Sequence, residues 1–199
     1  MPKIYIAEFV GTFALSFIVI ATLAAGVTAP LSVPVIAGLT LGLLVYIIGS
    51  ISGAHINPAV TIGLASIKKI SVKDAVLYIV AQVFGAAMAI VLAKFFVLTM
   101  PVPATDVWDV HIFMAEALGT CFFTFGIAAV VLGKVPTALS GVIVGASLLF
   151  GILVSLLAGA SGILNPAVAF ALNSVTVVYM LAPIVGSLAG FQLASYLHK

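Results

Sequence analysis

The chain carries one tripeptide twice, and each copy opens a helix too short to cross a membrane. Asn57-Pro58-Ala59 follows Ser52-Gly53-Ala54-His55-Ile56, and Asn165-Pro166-Ala167 follows Ser161-Gly162-Ile163-Leu164. Asn is a favoured N-cap, and Pro is favoured at the first helical position, where its missing N–H costs nothing. Lys68 and Lys69 close the first apolar run, and Asn173-Ser174 closes the second. Each run is therefore roughly 10 residues, about half of a bilayer crossing. A half-helix that starts inside a membrane aims its free N–H groups and positive dipole end at whatever lies there.

A second pair of landmarks has the same spacing. Ala7-Glu8-Phe9-Val10-Gly11-Thr12 matches Ala115-Glu116-Ala117-Leu118-Gly119-Thr120, and residues 8 and 116, like residues 57 and 165, are 108 positions apart. Two distant landmarks with one offset mark an internal duplication. Composition supplies the medium: 64% of the residues are hydrophobic and 6% charged, with a mean hydropathy of +1.43. A soluble domain of this size has no means of covering so much apolar surface, so the chain is a polytopic helical membrane protein. Apolar runs at about 4–26, 34–49, 72–98, 108–132, 137–157 and 176–197 are long enough to span. The expected fold class is an all-α membrane protein with six transmembrane helices and two re-entrant half-helices, 57–67 and 165–172, in two inverted repeats of about 1–99 and 108–199. Three spans per half is odd, so the halves must face opposite ways, with the functional site near the midplane at their interface. The linker at 100–106 divides them.

Charge fixes the expected sidedness. All the basic residues are Lys; with the N-terminus inside, Lys3, Lys68, Lys69, Lys73, Lys134 and Lys199 are cytoplasmic, and Asp106 and Asp109 are outside. Lys94 alone departs, near the outer end of the third span, where its stem can snorkel. Both termini are thus expected in the cytoplasm, and the first span, which contains Glu8, reads as a retained helix and not a signal peptide. A net charge of +2 implies no nucleic-acid partner. The lone Cys121 sits in an apolar run, excludes an internal disulfide and reads as a small core residue. No nucleophile–base pair, metal cluster or phosphate loop is present, so neither an enzyme, a metal nor a cofactor is expected.

These residues resemble the aquaporin and glycerol-channel family, the major intrinsic proteins. The resemblance covers essentially the whole chain. It rests on Ser52-Gly53-Ala54-His55-Ile56-Asn57-Pro58-Ala59-Val60-Thr61, on Asn165-Pro166-Ala167, on the paired Ala-Glu-x-x-Gly-Thr segments and on the Tyr179…Pro183…Gly186 pattern. It implies a single channel domain over 1–199: a passive cell-membrane channel for water or small uncharged solutes such as glycerol, urea, ammonia or carbon dioxide, assembled as a homotetramer in the bilayer. It further implies that Asn57 and Asn165, flanked by Pro58, Ala59, Pro166 and Ala167, form the pore centre. Two amide donors there would orient a water molecule oxygen-first and break the chain along which a proton hops, while the half-helix dipoles oppose cations. By the same resemblance Glu8, Glu116 and His55 anchor the re-entrant loops. Gln82, a polar residue inside the third span, is expected to bond another helix or a loop. Intramembrane carboxyls are costly and functional, so the competing role for Glu8 and Glu116 is a proton relay in a coupled transporter. A poorly conducting structural membrane protein is the remaining alternative.

One departure bears on substrate. The family normally has Arg directly after the second Asn-Pro-Ala, and here that residue is Val168. By motif offset the four positions of the outer constriction fall on Ala37, Leu153, Gly162 and Val168, none with a polar side chain. The expected ring is wide and apolar. Width admits larger neutral solutes; an apolar ring can instead gate by dewetting. Backbone carbonyls near 159–162 would favour water passage, and the residues leave the balance open. The missing Arg also removes one barrier to cations.

Overall fold

The computed structural model describes residues 2–26, 31–96, 99–100 and 108–199. Among them the regular elements are α1 (Pro2–Ala24), α2 (Val33–Ser52), α3 (Pro58–Ser66), α4 (Val72–Phe95), α5 (Val110–Val131), α6 (Ser140–Leu157), α7 (Pro166–Ala171) and α8 (Val177–Leu197), with a 3₁₀ turn at Thr137–Leu139 before α6. Six helices are long and apolar enough to cross a membrane; α3 and α7 are the two half-helices. Residues 27–30 between the first two expected spans, the end of the third span at 97–98 and most of the linker, Asp106 included, lie outside the described residues. α2 runs three residues past its expected end at Gly49 and stops where Gly53 adopts a left-handed C-cap with φ 85°.

Polar residues at the ends of the apolar runs set the helix starts. Ser71 accepts from the Asp74 N–H and donates to its carboxylate at the head of α4. Asp109 caps α5 through the His111 and Ile112 N–H groups, and Thr176 caps α8 through that of Tyr179. Between spans the hydrophobic effect gives no net pull, because lipid is as apolar as the core, so close approach decides which faces meet. α2 crosses α6 at four glycines: a Cβ on Gly38 would stand 2.7 Å from the Gly145 carbonyl oxygen, and one on Gly42 2.7 Å from that of Gly141. The contact repeats between α1 and α4 and between α5 and α8, where Gly85 lies on the Phe9 carbonyl and Gly186 on the Ala117 carbonyl. Residues 9 and 117 are again 108 apart, so the duplication extends to packing. α3 docks on α8 as well as α4, and α7 on α1 and α4 as well as α8. Each half-helix therefore packs into the opposite half, which brings both tips to the middle of the bundle.

Candidate functional site: paired asparagines between two cavities

The segment before each half-helix has an unusual backbone. Ala54 (φ 51°) and Ile56 (φ 56°) in the first, and Gly162 (φ 68°) and Leu164 (φ 52°) in the second, are left-handed. For residues with a Cβ this costs about 1–2 kcal/mol each, and the β-branched Ile56 is the least suited of the three. Buried carboxylates stabilise the conformation. Glu8 Oε1 accepts from Ser52 Oγ (2.7 Å) and the His55 N–H (3.0 Å), and Oε2 from the Ile56 N–H (2.7 Å) and Gln82 Nε2 (2.8 Å). Glu116 Oε1 accepts from Ser155 Oγ (2.9 Å), the Gly162 N–H (2.7 Å) and the Ile163 N–H (3.2 Å), and Oε2 from the Leu164 N–H (2.9 Å). Each carboxylate is fully buried and meets four donors, the number its lone pairs take. A backbone N–H, which only donates, meets both oxygens of each carboxylate, so a proton on either oxygen would face at least one donor that cannot reverse.

This anchoring has a direction. The N–H groups of Ala54, His55 and Ile56 are taken by Ser52 and Glu8, and those of Gly162, Ile163 and Leu164 by Glu116. What backbone polarity these segments offer to a passing molecule is carbonyl oxygen.

The two asparagines meet at the ends of these segments. Asn57 Oδ1 accepts from the Ala59 N–H (2.8 Å) and Asn165 Oδ1 from the Ala167 N–H (3.0 Å), so each caps its own half-helix. Asn57 Nδ2 donates to the Leu164 carbonyl (3.0 Å), and Asn165 Nδ2 donates to the Ile56 carbonyl (3.1 Å). Each tip is pinned to the residue preceding the other. An amide NH₂ has two hydrogens; one of each is used in this cross-link.

Two cavities lie beside the pair, although Asn57 itself lines neither. One of about 430 Å³ reaches Asn165 and Val168, between Leu15 and Val19 of α1, Ala37 of α2 and Ile152 of α6. The other, of about 270 Å³, reaches His55 and Val60, between Leu41 of α2 and Phe123 and Ile127 of α5, with Lys69 in its lining. The pairs Leu15/Phe123, Val19/Ile127 and Val60/Val168 are each 108 apart, so the two cavities are counterparts under the duplication.

The family model described as "Major intrinsic protein" matches residues 1–194. The chain belongs to the major intrinsic protein family. It is 36% identical over 202 residues to the glycerol uptake facilitator protein-like 6 of Lactiplantibacillus plantarum, covering 92% of this chain and 93% of that protein. It is 31% identical over 245 residues to the aquaporin AqpM of Methanothermobacter thermautotrophicus, with 99% and 98% covered. The solved structure of the aquaglyceroporin from Plasmodium falciparum superposes with a TM-score of 0.70 over 100% of this chain and 96% of that one, at 23% identity, a likeness of fold. This major intrinsic protein is a multi-pass membrane protein and a passive channel for water and small solutes; members of the family are channels, not enzymes.

Within this channel the two tripeptides lie together, and Glu8 and Glu116 hold the segments before them. His55 contributes through its backbone N–H; its ring Nδ1 lies 3.2 Å from Thr61 Oγ1, and the residue lines the smaller cavity. Gln82 bridges Glu8 and Thr61 Oγ1. Ala37, Gly162 and Val168 line the larger cavity, but Leu153 does not. Leu153 is 39% exposed, whereas Ile152 is 5% exposed and faces the cavity. Counting back from Asn165 runs through an irregular loop, and that count slips by one. The inward stripe of α6, through Val144, Leu148, Ile152 and Ser155, follows helical spacing and turns Leu153 about 100° outward. Ser52 and Thr61 complete the site from the two ends of the stretch that carries the resemblance, and Ser155 completes it without a pattern of its own. The one signal is that a serine ends, or nearly ends, the helix before each re-entrant segment.

Proposed function

We propose that the Asn57–Asn165 pair is where this channel sorts its solutes, admitting water and small uncharged molecules and rejecting protons and ions. The reciprocal cross-link carries the reading, because it leaves each amide one hydrogen at the same depth, between two cavities. A water molecule there accepts both hydrogens through its oxygen and turns its own hydrogens toward carbonyls on either side, so no continuous proton wire forms. The positive ends of α3 and α7 converge at the same point and oppose cations. Ala37, Ile152, Gly162 and Val168 are the outer constriction in this reading. Their apolar side chains suit a wide ring that passes glycerol-sized solutes with carbonyls as the only polar guide. Donor saturation of Glu8 and Glu116 speaks against a proton-coupled transporter.

The lysine distribution supports a cell-membrane protein with both termini in the cytoplasm, which makes the 430 Å³ cavity the outer one. A homotetramer with one pore per subunit, each a single channel domain over 1–199, completes the proposal. Stopped-flow swelling of proteoliposomes with water, glycerol, urea and ammonia gradients tests it, beside Val168→Arg. Flux above empty vesicles is expected, with Val168→Arg narrowing the panel toward water. No flux for any solute overturns the sorting role, and an unchanged panel in Val168→Arg overturns the constriction.

A further inference from the structure

We propose that Lys69 is a specificity-determining residue of this channel: its ammonium sets a cation barrier at the mouth of the 270 Å³ cavity. The proposal rests on the channel reading above. Among the described residues that line the two cavities, Lys69 is the one with a fixed charge. The larger cavity has Val168 beside the asparagine and, beyond it, polar side chains only at Ser32, Ser161 and Asn165. The charge distribution along the passage is therefore lopsided.

The local fold puts Lys69 there. Lys68 is left-handed (φ 62°), and the Lys69 N–H donates to the Leu64 carbonyl (2.9 Å), which folds the chain back over the end of α3. This turn brings Lys69 into the lining of the cavity and leaves Lys68 outside it. Asp74, the next acidic residue along the chain, is engaged by Tyr5 and Ser71. Lys69 is exposed at the mouth, and the cavity it lines has mostly apolar walls, among them Leu41, Val45, Phe123, Ile127 and Val130. Low-dielectric walls focus the field of a charge along the water-filled space instead of letting it spread.

Without that ammonium the cavity would attract cations. Its backbone polarity at 53–55 is carbonyl oxygen, and the C-terminal end of α3 adds the negative end of a helix dipole. One positive charge in the lining reverses the sign of the mouth while leaving neutral solutes indifferent. A different role, charge complementation of the α3 terminus alone, belongs equally to Lys68, and that equality provides the control.

The test uses the full-length protein in proteoliposomes, with Lys69→Glu, Lys69→Met and Lys68→Glu beside the wild type. Potassium leak and glycerol swelling are read on the same vesicles. Lys69→Glu is expected to raise potassium leak about tenfold, the low end of what field focusing yields, and Lys69→Met, with half the charge change, roughly threefold. Glycerol swelling should stay within about twofold of wild type, since a neutral solute does not feel the charge. Lys68→Glu should match the wild type in both. Unchanged leak in both Lys69 variants with intact swelling overturns the proposal, and so does an equal leak in Lys68→Glu. Absence of swelling in the wild type would instead sink the channel reading. Lys69→Met decides alone if Lys69→Glu fails to assemble.

Discussion

Replacing Glu116 with Gln keeps the side-chain shape and removes one acceptor oxygen. Glu116 Oε2 meets a single partner, the Leu164 N–H at 2.9 Å, while Oε1 meets three donors. The new NH₂ is best placed at the Oε2 position, where it points at an N–H that cannot turn. One charge-assisted bond, about 1.5–3 kcal/mol, is lost, and a buried N–H is left unpaired at about 1–3 kcal/mol. The sum is about 3–5 kcal/mol, since the two contributions overlap. Glu8→Gln should be milder. Each oxygen of Glu8 has one partner able to reverse: Ser52 Oγ, or Gln82, whose Oε1 is buried without a partner and can swap places with Nε2. One hydrogen bond is regained, worth about 1 kcal/mol net. SDS-induced unfolding followed by far-UV circular dichroism measures both variants. Equal losses, or a larger loss in Glu8→Gln, would refute the donor accounting.

Three further variants probe the site. Gly162→Ala places a Cβ 2.8 Å from Ile152 Cγ2 at a left-handed φ of 68°, so SDS unfolding should show a loss of about 1–2 kcal/mol or more; an unchanged midpoint would remove the conformational reason for this glycine. Ile152→Trp should slow glycerol swelling roughly tenfold, an added barrier of about 1.4 kcal/mol, while Leu153→Trp should not; equal slowing would return Leu153 to the ring. Asn165→Ala removes a cap, at about 1 kcal/mol, and the bond to the Ile56 carbonyl, at about 1 kcal/mol. It should also admit protons, and a pH-dye assay showing no proton leak would weaken the sorting role of the pair.

How much was readable in advance varies with the physics. The spans and half-helices follow from hydropathy and from Asn-Pro helix starts, which act locally. The inverted pairing follows from the 108-residue offset, because Glu8 and Glu116 stand in the same relation to Ile56 and Leu164. The register of α6 is not legible from Asn165, because the loop between them has a length that no local rule sets. The left-handed Ala54, Ile56 and Leu164 are also hidden, since such residues ordinarily avoid that region and are held there by buried partners distant in sequence, Glu8 and Glu116 with the two asparagines, and locally by Ser52. Ser52 and Ser155 carry only a weak signal, because a serine near a helix end has many ordinary roles.

In the proposed function solutes pass the asparagine pair by way of the cavity that Val168 lines. Thiol labelling tests it directly: Val168→Cys in a Cys121→Ala background, reconstituted, reacted with a methanethiosulfonate reagent and assayed for glycerol swelling. Flux that falls to the level of empty vesicles, with Leu153→Cys unaffected by the same labelling, is the expected result. Quantitative labelling of Val168→Cys with undiminished flux would place the path elsewhere.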